Sequence, residues 1–420
     1  MITRFSHNNM KSILPTAVEW INVLSTICLL GTFILPFKYQ RVALYVYFAT
    51  LILDIAINRR YKEIKWHNVK YVFATMVFFY TAMWIWHAFE DCSSQIYFHS
   101  TDIRLPFLVF GLLGLTCRIN PKIKISYIAY TMLITSLIAI VYLAYKIVDS
   151  QPTTIEEIRL LLPVIRHKAL HTTHIGLNQY LNCTIAICFI YLHEKTKKWD
   201  VILLSLGILI IYISLLLNEG RAGFIIANIL IWLFIGITIY RHKPKVLIPG
   251  LTILSIILLF ITSHHDRLNL TELMKEPRTF VWDTSIEIIK EKPILGHGVC
   301  QGKQLFIEQV TNNKDLTKFW EHWYSLAPDY NKNRFHCHNA FLESAIEFGL
   351  IGIIATILIF LLPILFTKNK RRLYLSFIIL IFGIQAIFES FTAHYQIFLF
   401  CWLLYFFVNT KLSEDDLKCH

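Results

Sequence analysis

The chain has 420 residues, 55% of them hydrophobic and 15% aromatic, with a formal charge of +12 and a mean hydropathy of +0.52. A soluble domain of this length is far less apolar. The Lys and Arg residues lie in short scattered stretches with no contiguous basic stripe, which excludes a nucleic-acid partner as the reason for the charge.

Runs of about 18 to 25 apolar residues recur along the sequence, each enough to cross a hydrocarbon core of ~30 Å. They predict an all-α integral membrane protein of about twelve transmembrane helices, near residues 17–36, 40–57, 70–89, 103–117, 125–147, 174–192, 201–217, 222–240, 246–262, 340–366, 373–389 and 394–409. The first run is span-length and lacks a small-residue cleavage site after it, so it is expected to be retained. Basic residues follow every even-numbered span, among them Arg59 and Arg60, Arg118 and Lys122, Lys195 and Lys197, Arg241 and Lys243, and Arg371 and Arg372. The alternate loops are poor in positive charge, with Lys38 and Arg41 the exception. By the positive-inside rule both termini are cytoplasmic, and the long hydrophilic segment 263–339 faces the other side.

The sequence is thus expected to form one polytopic membrane domain over 1–420 with two extracytoplasmic loops, a small one at 148–173 and a large one at 263–339, between the ninth and tenth spans. In the small loop, residues 155–163 suit a short interfacial helix, followed by a cationic cluster of Arg166, His167 and Lys168, then His171 and His174. In Leu217-Asn218-Glu219-Gly220-Arg221-Ala222-Gly223, Arg221 stands at the edge of the hydrocarbon. It either snorkels beside Glu219 or offers a fixed guanidinium to a lipid phosphate, with Gly220 and Gly223 letting a headgroup or another helix approach.

The large loop carries ten Lys and Arg against ten Asp and Glu, so the placement of its charges matters more than their sum. Pro277 suits a first helical position, and Phe280, Val281, Ile286 and Ile289 form a rough apolar stripe up to Pro293, presenting Arg278 near the start and Trp282 beyond it. Gly296 and Gly298 flank His297 and permit a tight turn or close backbone approach. Trp320, Trp323, Tyr324 and Tyr330 suit either sugar stacking or the membrane interface. His336-Cys337-His338 offers two imidazoles and a thiol, but a structural zinc site wants four ligands and no second CxxC or HxxxH supplies them. A Cys300–Cys337 disulfide would fasten two motif-bearing segments. Asn339 is a good helix cap, and Glu389 and His394 near the last external turn could line the same cavity.

Arg278, Trp282, the run Pro293 to Gly298, and His338-Asn339-Ala340-Phe341-Leu342-Glu343 leading through Glu347 to Gly352 together resemble the O-antigen ligase family. The likeness covers roughly residues 175–390 and is most specific from Arg278 to Gly352. It implies a GT-C-like membrane glycosyltransferase that moves a glycan from undecaprenyl diphosphate to a hydroxyl of the lipid A core, at the periplasmic face of the bacterial inner membrane. By that resemblance His338 is the catalytic base, and Arg221, Arg278 and His297 are the candidates for holding the donor diphosphate, His297 standing where some ligases carry a further arginine. Arg166, His174, Trp282, Gly296, Gly298, Asn339, Glu389 and His394 are cavity-lining candidates. No metal or other cofactor is expected, because arginines can take the place of the cation and no acidic DxD-like pair lies on the external face. The motifs do not separate a ligase from a polysaccharide polymerase or a protein O-oligosaccharyltransferase. A transporter of lipid-linked glycans would instead call for broken, charged helices at mid-membrane.

Overall fold

The computed structural model describes residues 2–35, 37–63, 70–87, 89, 94–152, 154–170, 172–194, 197–218, 220–263, 277–312, 336–390 and 394–410. Trp320, Trp323, Tyr324 and Tyr330 of the large loop lie outside them. Among the described residues the regular structure is helical, with no strand. A helix covers each of the twelve expected spans. Eight of these helices are long and apolar enough to cross a membrane. The chain divides into two compact units, residues 1–66, 116–255 and 409–420 in the first and 67–115 and 256–408 in the second.

The first unit contains α1 (Ile2–Thr32), α2 (Phe37–Ile57), α5 (Ile125–Asp149), α6 (Ile155–Leu170), α7 (His174–His193), α8 (Lys198–Leu217), α9 (Arg221–His242) and most of α10 (Leu247–Ser263). Its core is α7, buried without interruption from Gly176 to Ile190 and packed on α5, α8 and α9. Several polar groups on this buried helix find partners across it: the Tyr180 hydroxyl donates to the Leu30 carbonyl at 2.8 Å, Ser136 and Thr184 are 3.0 Å apart, and Asn182 Nδ2 donates to the Gly223 carbonyl at 2.9 Å, whereas Gln179 Nε2 and Asn182 Oδ1 are buried without one. At another point Arg60 bonds the fully buried Asp54 at 3.1 Å and also Glu19, which Lys122 meets at 2.7 Å. These pairs tie α1 and α2 to the loop before α5. Helix α6 runs seven residues beyond the expected end at Pro163, so the Arg166 cluster lies within the helix rather than after it. Arg166 is buried, while His167 and Lys168 are exposed.

The second unit contains α3 (Lys70–His87), α4 (Ser94–Thr116), α11 (Pro277–Glu291), α12 (Val299–Asn312), α13 (Ala340–Leu365), α14 (Asn369–Phe388) and α15 (His394–Asn409). Helix α11 starts at Pro277 as expected, but its buried face is Val281, Ser285 and Ile288. Phe280 and Ile286 point outward, because α12 and the start of α13 pack on the 281/285/288 stripe. Cys300 is disulfide-bonded and Cys337 is a buried free thiol, so the two are not joined to each other.

The expected span 340–366 is not a single rod. Gly349 within α13 has φ 60° and ψ −144°, and the chain folds back there. Thr356 donates to Ser344 at 3.0 Å, although twelve residues of straight helix would separate them by ~18 Å. The Phe341 and Phe360 rings also meet, with centroids 6.1 Å apart. The reversal strips helical partners from the carbonyls before it, and the glycine turn after α11 replaces them. His297 N–H donates to the Ile346 carbonyl at 2.8 Å and Gly298 N–H to that of Glu347 at 2.9 Å, while Leu350 N–H donates to the Pro293 carbonyl at 2.8 Å. The backbones are so close that a Cβ on Gly296 would lie 2.6 Å from the Glu347 carbonyl, and one on Gly349 2.4 Å from that of Ile294. Both positions also have positive φ, which any other residue adopts at a cost.

Gly349→Ala should therefore destabilise this unit by ~1–3 kcal/mol. The measurement is maleimide labelling of the buried Cys337 thiol, located by peptide mass spectrometry, which should become faster. Gly383→Ala, whose added Cβ meets nothing within 4 Å, should leave the labelling rate unchanged.

Candidate active site

The docked turn fixes where the His336-Cys337-His338-Asn339 segment begins α13. Asn339 caps the helix, its side-chain oxygen accepting from Phe341 N–H at 2.9 Å and Leu342 N–H at 3.0 Å, which satisfies donors that a helix start leaves open. Trp282 of α11 donates its indole N–H to the Cys337 carbonyl at 3.1 Å. His338 itself has φ 49°, a left-handed conformation that non-glycine residues seldom occupy and that clusters at functional sites. Its backbone N–H donates to His336 Nδ1 at 3.3 Å, and the two imidazole rings lie 4.0 Å apart at 51°.

Glu389, at the end of α14, closes the site. Its carboxylate oxygens lie 3.0 and 3.1 Å from His338 Nδ1, and Oε1 is also 3.3 Å from His336 Nδ1. The carboxylate is almost fully buried, whereas 29% of the His338 side chain is exposed. Ser390 N–H donates to Oε1 at 3.3 Å. A carboxylate accepts only, so His338 presents Nδ1–H to it, leaving the Nε2 lone pair as the ring's other function. Of the sequence candidates, His338, Asn339, Trp282 and Glu389 are thus brought together. Gly296 and Gly298 support them from behind through α13. The His297 ring is buried, with Nε2 2.9 Å from the Ile288 carbonyl, so it braces the end of α11.

Behind the histidines lies a group of charges that sequence reading did not single out. Arg104 of α4 meets Glu347 at 2.7 Å, both largely buried, and an arginine within an expected span, with an i,i+4 pair of acids, Glu343 and Glu347, in another, was the available signal. A cavity of about 20 Å³, room for one water, is lined by Lys303, His336, Glu343 and Glu347 among others. Burial, with Glu343 and Glu347 nearby, pushes the Cys337 thiol well above its ordinary range, so it is neither a ready nucleophile nor a ready metal ligand.

In the first unit, Arg166 donates to Asn218 at 2.8 Å and Asn218 to Asn178 at 2.7 Å. The Asn178 side chain and His174 pack where Gly220 and Gly223 leave space, so the approach those glycines permit is taken by helix α7. Arg221 is the first residue of α9, after Gly220 at φ 102°. The side chains of Arg221, Arg278 and His394 lie outside the described residues, although each of the three sits at the start of a helix, α9, α11 and α15.

Parts of the chain are similar to known proteins. The O-antigen ligase family model matches residues 204–357. An uncharacterized protein of Haemophilus influenzae is 33% identical over 140 residues, 30% of this chain and 32% of its own length. An exopolysaccharide production protein, ExoQ, of Rhizobium meliloti is 32% identical over 96 residues, 23% of this chain and 20% of its own. The matched region therefore spans a third or less of those relatives. The family-model match, residues 204–357, includes α9, the docked glycine turn and the His338 segment.

Proposed function

We propose that this protein is a multi-pass membrane glycosyltransferase of the O-antigen ligase type, moving a glycan from a polyprenyl diphosphate, undecaprenyl diphosphate in bacteria, to an acceptor hydroxyl. The observation that carries the reading is the His338–Glu389 pair, with His338 inside the segment the family model matches: a partly exposed imidazole with Nδ1 held by a buried carboxylate. His338 Nε2 takes the proton of the acceptor hydroxyl as that oxygen attacks the anomeric carbon. The bond from that carbon to the diphosphate breaks in the same displacement, which inverts the centre. Glu389 keeps the ring oriented and offsets the imidazolium that forms. The polyprenyl diphosphate leaves with its charge countered by Arg221 and Arg278, whose forked guanidiniums match phosphate oxygens and serve where other transferases use a metal.

The Lys and Arg pattern supports cytoplasmic termini and a periplasmic site in the inner membrane. The disulfide at Cys300 supports the same side, since disulfides persist in oxidising compartments. On this reading 1–420 is one membrane domain, with twelve helix-bearing regions and loops at 148–173 and 263–339. Lipid A core is the acceptor for the ligase reading. The exopolysaccharide-production relative favours a second one, in which the acceptor is another carrier-linked glycan and the product is a longer polymer.

Purified protein in nanodiscs, given undecaprenyl-diphosphate glycan with lipid A core or with donor alone, should yield product by mass spectrometry. His338→Ala should lower turnover by ~10²–10⁴-fold, the usual worth of a positioned base. Unchanged turnover removes His338 from that role. Glu389→Gln keeps the size but not the charge and should cost at least ~10-fold in turnover with little change in apparent donor affinity.

A further inference from the structure

The sequence offers His336, Cys337 and His338 without a fourth ligand, and the fold changes that count. Glu389, 51 residues beyond His338, brings a carboxylate to both imidazoles, and ligand atoms of His336, His338 and Glu389 all lie within 4.8 Å of one another. A tetrahedral zinc ion with bonds of ~2.0–2.1 Å holds its ligand atoms about 3.3 Å apart. The carboxylate stands 3.0 Å from His338 Nδ1 and 3.3 Å from His336 Nδ1, so two of the three edges are already at that spacing. Two imidazole nitrogens and one carboxylate oxygen suit zinc or a neighbouring transition metal rather than magnesium or calcium. The Ser390 N–H on Glu389 Oε1 is the outer hydrogen bond that keeps a ligating carboxylate in place. The histidine side chains, 14% and 29% exposed against 5% for the carboxylate, leave a way in.

We propose that His336, His338 and Glu389 form an exchangeable binding site for zinc-class divalent cations, with an open fourth position, whose occupation switches off His338. Three protein ligands and one open position set it apart from a closed, four-ligand structural site. A metal takes the Nδ1 lone pair, so the ring's single proton moves from Nδ1, where Glu389 held it, to Nε2, where it blocks acceptance of another. Its inhibitory consequence rests on the proposed role of His338 as base; the binding itself does not.

The full-length protein in nanodiscs, stripped with chelator, is titrated with Zn²⁺ by calorimetry and with Co²⁺ by visible absorption, which reports four-coordinate geometry. One saturable equivalent is expected, weakened at least ~10-fold in His336→Asn and in Glu389→Gln and unchanged in Cys337→Ser. Transfer should fall as Zn²⁺ fills the site and return with chelator, whereas His336→Asn should transfer and be insensitive to Zn²⁺. Absence of saturable binding, or equal binding in all variants, overturns the site. Binding without any effect on transfer by the unsubstituted protein overturns the switch. Binding with no transfer under any condition leaves the site standing and sinks the glycosyltransferase reading instead.

Discussion

The second unit depends on a contact made by backbone alone. The Pro293–Gly298 turn and the reversal at Gly349 exchange three hydrogen bonds of 2.8–2.9 Å at a separation that no side chain fits between. Breaking a helix inside apolar surroundings exposes carbonyls that lipid cannot satisfy. Here the missing partners come from a segment some fifty residues earlier. The first half of α13 is thereby folded against the second, and the histidines at its start are carried to Glu389.

Charges are placed by the same logic of compensation. Arg104 with Glu347, and Arg60 with Asp54, are buried pairs in separate units. Such pairs are weak sources of net stability, yet removal of one partner strands the other at several kcal/mol. Their effect is to fix register between elements. Arg104 holds α4 to the face of α13 that also carries Glu343, on the wall of the cavity beneath His336.

Much of this was legible in the sequence because hydropathy and glycine are local signals. Apolar runs located the helices, Pro277 the start of α11, and Gly296 and Gly298 the tight turn. What escaped was non-local. A largely apolar stretch of 26 residues reads as one span, and only the carbonyl-matching turn elsewhere in the chain tells that Gly349 folds it back. The α11 stripe was only half placed, Val281 and Ile289 facing the core but Phe280 and Ile286 not, because periodicity names a face but not the neighbour that covers it. His338 was found through its motif, whereas its close pairing with Glu389 required the end of α14 to be brought to the start of α13. Arg166 reads as a surface cation and is buried because Asn218 receives it.

The reversal in α13 also bears on the bilayer. Beyond Gly349 the helix runs from Leu350 to Leu365, which is ~24 Å at 1.5 Å per residue, against a hydrocarbon core of ~30 Å. Lipid beside this helix must become thinner, or polar headgroups must descend, at a cost of fractions of a kcal/mol for each ångström. On the reading proposed above, a local dip in the membrane surface shortens the vertical distance between a carrier's diphosphate at headgroup level and an imidazole seated at the start of a folded-back helix.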